Sequence, residues 1–273
     1  MKKEDRYSRQ SFLGEDSQNI FERTSIGIVG LGGGGSHIGQ QFSHIGIGSF
    51  TLFDPDVIEE SNLNRLVGAT DKDAQNRTPK VEVARRLIQG VNPKADVGAH
   101  CRRWQDDSGP LKTCDIIFGC VDSFAQRREL EVLCRRYLIP YLDVGMDVHP
   151  AQLVDEPPGL AGQVIASIPG GPCMACLGYL TEEKLGREAA KYGAAGPRPQ
   201  VVWANGILAS TAVGLAVDLL TGWTKTSPRA IYLSYRGNTG VMDPHIRLKY
   251  LNEAACPHYP ADEIGDPIFN AIQ

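Results

Sequence analysis

The stretch Ile26-Gly-Ile-Val-Gly-Leu-Gly-Gly-Gly-Gly-Ser-His37 constrains the fold more than any other part of the chain. It reads as a short apolar strand, a glycine turn and the start of a helix. Gly30, Gly32 and Gly35 fit the pattern G-x-G-x-x-G, with Gly33 inside the turn. Glycines permit a tight turn and let backbone N–H groups approach a phosphate. The helix N-terminus that follows favours negative charge. The stretch therefore predicts a nucleotide-binding βαβ unit, without saying which nucleotide or what becomes of it.

The flanking sequence supplies the rest of an α/β fold. Strand-like segments at Ile26–Val29, Ser49–Phe53, Val97–His100, Asp115–Gly119 and Tyr141–Val144 alternate with helix-like segments at Ser36–Ile45, Pro79–Val91 and Ser123–Tyr137. Such alternation predicts right-handed crossovers and a doubly wound, mostly parallel, Rossmann-like sheet. Thr78-Pro79 reads as a helix start, with Thr at the N-cap and Pro at the first helical position. Residues 1–25 read as helices leading into the first strand. After residue 149 the rhythm changes. Gly162–Ile168 and Arg229–Tyr235 read as strands that extend the sheet in antiparallel fashion. Ala204–Leu220 reads as an apolar helix packed in the interior or at an interface. Thr181–Pro199, charged and rich in Gly and Pro, reads as a mobile crossing loop. One domain over residues 1–273 is expected, with a nucleotide-binding half at 1–149 and a second half at 150–273.

Composition excludes some classes. A net charge of −4 argues against a general nucleic-acid binder, whose domain is usually basic. The N-terminal MKKEDRYSRQ lacks the apolar core of a signal peptide. No apolar run is expected to span a bilayer. The seven cysteines are an odd number without a small-domain disulfide layout, which points to a reducing, cytoplasmic setting.

The second strand ends in Asp54, at about the 20-residue spacing where a ribose-binding acid is expected. The chain then continues Asp54-Pro-Asp56-Val-Ile-Glu-Glu-Ser-Asn-Leu-Asn64-Arg65, Thr78-Pro-Lys80-Val-Glu-Val-Ala-Arg85 and Cys120-Val-Asp122-Ser-Phe-Ala-Gln-Arg127. Cations at Arg65 and Lys80 and an acid at Asp122, all near C-terminal strand ends, suit a triphosphate with Mg²⁺ better than a nicotinamide. Arg and Lys neutralise charge that develops on transferred phosphate, and a carboxylate is a natural Mg²⁺ ligand.

On these residues, together with Arg6-Tyr-Ser-Arg9-Gln10, Ser61-Asn-Leu-Asn-Arg65, Pro79-Lys-Val-Glu82 and Cys173-Met-Ala-Cys176, the chain resembles the ThiF/MoeB/HesA adenylyltransferases, relatives of the ubiquitin-activating enzymes. The resemblance covers nearly the whole chain. It implies ATP- and Mg²⁺-dependent adenylation of the C-terminal glycine carboxylate of a small ubiquitin-like or sulfur-carrier protein with a Gly-Gly tail, and a homodimer. It implies that the glycine loop and Asp56 flank the nucleotide and that Asp54 binds the ribose. Asn64, Arg65 and Lys80 would contact the phosphates. Asp122 would hold Mg²⁺, Arg127 would support the acyl-adenylate pocket, and Arg9 would reach the phosphates of a neighbouring subunit.

The resemblance also implies a structural Zn²⁺ site in the second half. Cys173-x-x-Cys176 is half of a tetrahedral set, and the family completes it with a second such pair near the C-terminus. Here that stretch is Cys256-Pro-His-Tyr259, so the expected ligands are Cys173, Cys176, Cys256 and His258. The alternative is that Cys173 and Cys176 are buried thiols without metal.

Many relatives carry a cysteine in the crossing loop that takes the carboxylate as a thioester, and Thr181–Gln200 contains none. Cys101, Cys114, Cys120 and Cys134 remain, the last three read as core. Adenylation alone is therefore expected. His37 reads as packing in the first helical turn, and His149 as a loop histidine near the pocket. Three other functions stay open: a nicotinamide-dependent dehydrogenase, a non-catalytic subunit of a heterodimeric activator, and adenylation of a peptide or tRNA substrate.

Overall fold

The computed structural model describes residues 6–151, 153, 155–190, 199–226, 231–251, 256–260 and 264–265. In the first half, α1 (Ser17–Arg23) leads into β1 (Ser25–Val29), α2 (Gly33–Ile45), β2 (Ser49–Phe53), α3 (Asp71–Gln75), α4 (Lys80–Val91), β3 (Asp96–His100), β4 (Ile116–Gly119) and α5 (Phe124–Arg136). Then follow β5 (Tyr141–His149), β6 (Gly159–Ser167), α6 (Glu182–Ala190), α7 (Val202–Thr221), β7 (Ile231–Arg236) and β8 (Val241–Pro244). The strands form one sheet in the order β3-β2-β1-β4-β5-β6-β7-β8. The first five are parallel and the last three are added antiparallel.

Helices cover both faces of the parallel part, so its central strands are apolar without alternation. Ile26, Ile28, Leu52 and Phe118 are wholly buried. Each such side chain stabilises the fold by about 1.5–3 kcal/mol. Strand order reverses between β1 and β4, and this switch point opens a crevice at the strands' C-terminal ends. Gly30 turns there with φ +90°, and a Cβ on it would lie 2.5 Å from the Cys120 carbonyl oxygen. A Cβ on Gly35 would collide with the Gly30 carbonyl, so glycine is what lets α2 sit against the strand that feeds it.

Several expectations need correction. α4 begins at Lys80 with Pro79 as N-cap, and Thr78 is no cap. The Thr78 carbonyl instead accepts from Ile58 N–H at 2.8 Å, and Lys80 N–H donates to Asp56 O at 3.0 Å. This pairing holds Thr78 extended. The segment read as a mobile crossing loop carries α6 over Glu182–Ala190; the rest of the expected loop, residues 191–198, lies outside the described residues. Thr181 Oγ1 accepts from Lys184 N–H at 3.3 Å, with acids at the start of α6 and Arg187 near its end, as a helix requires. Residues 8–13 form a 3₁₀ turn ahead of α1. β8 has no counterpart in the sequence reading.

α7 also corrects an expectation. Its 20 residues, with mean hydropathy 1.4, are long and apolar enough for a membrane span. Ala204, Leu208, Ala212 and Ala216, with Asn205, Ala209, Val213 and Val217, are buried in two rows four residues apart. One stripe thus packs inward as in a core helix, and the helix contacts α2, β5 and β6. The opposite side exposes Trp203 and Ile207; Val202 at the helix start is also exposed, and Trp223 lies edge-on to Phe12 beyond the helix end.

Candidate active site

The crevice at the switch point is a cavity of about 520 Å³. Gly30, Gly32 and Gly33 form one wall, and Asp54, Asp56, Arg65, Lys80, Asp122 and Arg127 reach it from the ends of β2 and β4 and from the segments that follow. Nine of the residues expected at the nucleotide thus meet around one space.

Asp54 ends β2 and is buried. Its carboxylate accepts Leu31 N–H at 2.6 Å and Asp56 N–H at 2.9 Å. It therefore ties the glycine loop to its own strand. Burial pushes its carboxyl upward, against Lys80 and these two N–H donors. Lys80 Nζ lies 2.7 Å from Asp56 Oδ2 and 3.9 Å from Asp54 Oδ1. Arg65 donates to Ser61 O at 2.5 Å and to Asn64 Oδ1 at 2.9 Å. Asp122 follows β4 and is exposed to the cavity, directly before Ser123, the N-cap of α5.

Three expected residues lie elsewhere. Gly35 serves the α2–β1 contact described above. Asn64 is exposed, outside the cavity wall, and its amide donates to Gln200 O at 3.2 Å. Arg9 is exposed on the 3₁₀ turn and does not border its own chain's cavity.

Arg127 borders the cavity but is itself buried. Its guanidinium pairs with Asp143, which has no exposed surface, and donates to Val121 O at 2.5 Å. Burial opposes the charge on Arg127, and Asp143 beside it more than restores it. Burial pushes the Asp143 carboxyl up against the pull of Arg127. The Tyr141 hydroxyl donates to the other carboxylate oxygen at 3.1 Å. Asp143 was not anticipated, although a lone acid inside the apolar run Tyr141-Leu-Asp-Val144 was a readable signal. Arg103, Gln105 and Gln200, which also border the cavity, carried no such signal.

Among the free thiols, Cys101 is exposed, with Sγ 3.9 Å from Pro55 O. Cys120 borders the cavity, where burial pushes its thiol up to about 12. Cys114 and Cys134 are buried and likewise raised by burial. His37 packs its ring against Gly206 of α7, and its Nε2 is buried without a hydrogen-bond partner. His149 is exposed beside Asp147 and does not border the cavity.

Cys173, Cys176, Cys256 and His258 converge, with all four ligand atoms within 4.8 Å of one another. His258 Nδ1 lies 3.4 Å from Cys173 Sγ and 3.3 Å from Cys176 Sγ, and Cys176 and Cys256 sulfurs are 3.6 Å apart. Tetrahedral ligands at about 2.3 Å from zinc stand roughly 3.8 Å apart, so the donor set and its spacing fit the metal. Tyr259 is turned away, its hydroxyl donating to Glu131 Oε2 at 3.2 Å. Buried Glu131 also accepts Met174 N–H at 2.7 Å and so positions the Cys-x-x-Cys loop.

Comparison with known proteins covers both halves. The profile of the ThiF family matches residues 6–257. The SAMP-activating enzyme E1 of Haloferax volcanii is 32% identical over 178 residues, which are 63% of this chain and 61% of that protein. This chain thus spans about three fifths of that relative's length. The molybdopterin-synthase adenylyltransferase of Escherichia coli is 27% identical over 234 residues, 84% of this chain and 86% of that one. Escherichia coli MccB with succinimide has the same fold, with a TM-score of 0.73, 19% identity and coverage of 89% of this chain and 72% of that one.

Proposed function

The chain belongs to the ThiF family, and from that premise we propose that it adenylates the C-terminal glycine carboxylate of a small ubiquitin-like or sulfur-carrier protein, using ATP and Mg²⁺ and releasing pyrophosphate. The observation that carries this reading is the set around one cavity: Asp54 beside the glycine loop, Arg65 and Lys80 on one side, Asp122 on the other. An NAD enzyme needs the first of these and has no use for the rest.

In this reading the substrate carboxylate attacks the α-phosphorus in line. It is already ionised at neutral pH, so no general base is needed. The glycine-loop N–H groups and the α2 N-terminus hold phosphate oxygens, and Asp54 holds the ribose. Lys80 and Arg65 neutralise charge that builds up on the leaving pyrophosphate. Lys80 would exchange its Asp56 partner for the nucleotide. Asp122 would hold Mg²⁺, which supplies further neutralisation of the phosphates. Buried Arg127 shapes the wall beside Val121 and Gly145 rather than touching the adenylate.

Two features support a homodimer: the exposed apolar residues of α7, and Arg9, which is exposed and does not border its own chain's cavity. The four thiol and imidazole ligands would hold structural Zn²⁺. The crossing segment supplies no cysteine for a thioester, which leaves exposed Cys101 or a group from another molecule as the acceptor.

ATP–pyrophosphate exchange with Gly-Gly-tailed carriers tests the reading. Tail-dependent exchange, abolished in Asp122→Ala, is expected; ATP binding without exchange on any tail would redirect attention to peptide or RNA substrates. Mixing Arg9→Ala with Asp122→Ala protein is expected to restore part of the activity, and no restoration would sink the cross-subunit role of Arg9.

A further inference from the structure

α6 is an unusual helix for this molecule: none of its side chains described in the structure is buried. Its apolar packing is limited to half-buried Leu185, and elements of that kind sit at the low end of local stability. Polar ties add to that packing. The Glu188 carboxylate reaches across to the start of α5, where it accepts from Ser123 Oγ at 3.1 Å, Phe124 N–H at 3.0 Å and Ala125 N–H at 3.0 Å. The Lys184 ammonium donates to Tyr179 O at 2.9 Å and lies over the Phe124 and Tyr179 rings.

The first N–H groups of a helix have no partner inside it, and an unsatisfied helix end frays. Ser123 Oγ caps Gln126 N–H only at 3.3 Å. Phe124 and Ala125 N–H groups are therefore satisfied from another segment, more than sixty residues away in sequence. A carboxylate is the best acceptor there, because a helix N-terminus carries partial positive charge. The turn so held begins with Asp122, whose neighbour Ser123 also borders the cavity.

We propose that Glu188 is a positioning residue: by docking α6 on the start of α5 it fixes the Asp122 turn in the geometry that receives Mg²⁺. The inference rests on the reading of Asp122 given above. It makes the crossing segment part of the site's assembly, since the seating of α6 and the order of the Asp122 turn become one event. Glu188 itself touches neither nucleotide nor metal.

The test uses the full chain with Glu188→Ala and Glu188→Gln. In the absence of ligands, Glu188→Ala is expected to speed amide hydrogen exchange at Phe124 and Ala125 about tenfold, while amides of β1 and β4 keep wild-type rates. In pyrophosphate exchange, the Mg²⁺ concentration for half-maximal rate is expected to rise several-fold at unchanged Tm, with Glu188→Gln intermediate. A helix serving only to cover the surface would leave the Mg²⁺ dependence untouched. Unchanged amide rates at Phe124 and Ala125, or an unchanged Mg²⁺ midpoint, overturns the proposal. Absence of exchange in the wild-type protein counts against the adenylation reading instead, and the amide rates still decide whether Glu188 orders the turn.

Discussion

The two halves of the sheet share one apolar core and differ in the polar ties laid over it. In the first half the central strands β1, β2 and β4 are buried between helices, so area removed from water dominates there, while β3 at the edge is only partly buried. Beyond β5 the same apolar core continues through β6, α7 and β7, and single polar ties are added to it: Arg127 to Asp143, Glu131 to the Cys173–Cys176 loop, Glu188 to the start of α5, and the Cys3His cluster. Burial tolerates the loss of one methylene; a tie is either made or broken. The first half is thus a scaffold, and the second can couple its own order to the cavity.

A substitution that enters the scaffold's tightest contact has the largest expected effect. Gly35→Val puts a branched side chain where the Gly30 carbonyl sits, and a loss of about 4 kcal/mol or more is expected by chemical denaturation. A variant as stable as wild type would show that α2 can shift away from β1 freely. Next comes the junction between the halves. Asp143→Asn leaves the Arg127 guanidinium buried without its counter-charge, at a cost of about 3–5 kcal/mol. Asp143→Asn combined with Arg127→Met is expected to recover most of that stability, since the cost lies in the orphaned charge; no recovery would mean that Arg127 contributes mainly by packing.

This pair also shows how far the sequence could be read. Apolar runs and the glycine loop were enough for β1 to β5, because burial leaves a periodic trace. Asp54 and Asp122 were legible because each follows a strand end by a short path, and Lys80 because it opens the helix after the Thr78-Pro79 turn. Glu131 and Glu188 were not, since each works through a partner 43 to 65 residues away and nothing local marks it, whereas Asp143 was marked only by standing alone in an apolar run. The helix α6 was missed for a related reason: its composition is that of a solvated loop, and its position is set by ties rather than by an apolar face. Thr78 was misread because a long-range backbone pairing claimed its carbonyl.

Removal of the proposed Zn²⁺ is the third way to sharpen the contrast. Chelation is expected to lower Tm by about 5 °C and to expose residues around Cys256 to protease, with the amides of β1 and β2 unaffected. A uniform loss of protection across both halves would contradict the division. Cys173→Ser should reproduce the chelated state without chelator.

The smallest expected effect is a polar tie inside the scaffold half. Asp73, at the start of α3, pairs with Arg86 at 2.7 Å, which holds its carboxyl well below the usual carboxylate range. A folded-state value below the unfolded one means that the pair contributes above about pH 4 and that the contribution fades as pH falls further. Because Arg86 is half exposed, Asp73→Asn is expected to cost only about 1 kcal/mol at pH 7. The difference from wild type should shrink in acid; a constant difference from pH 7 to pH 3 would assign the effect to the Thr70 capping bonds instead.

The most direct test of the central claim is chemical and needs one atom pair changed. A carrier protein ending in a free Gly-Gly carboxylate and the same carrier ending in an amide are each incubated with enzyme, ATP and Mg²⁺, and the tail is examined by intact mass. An AMP adduct on the carboxylate form, absent from the amide form and from reactions with Asp122→Ala, is the predicted result. An adduct elsewhere on the carrier, or none on any carboxylate tail while ATP is still consumed, would contradict the account.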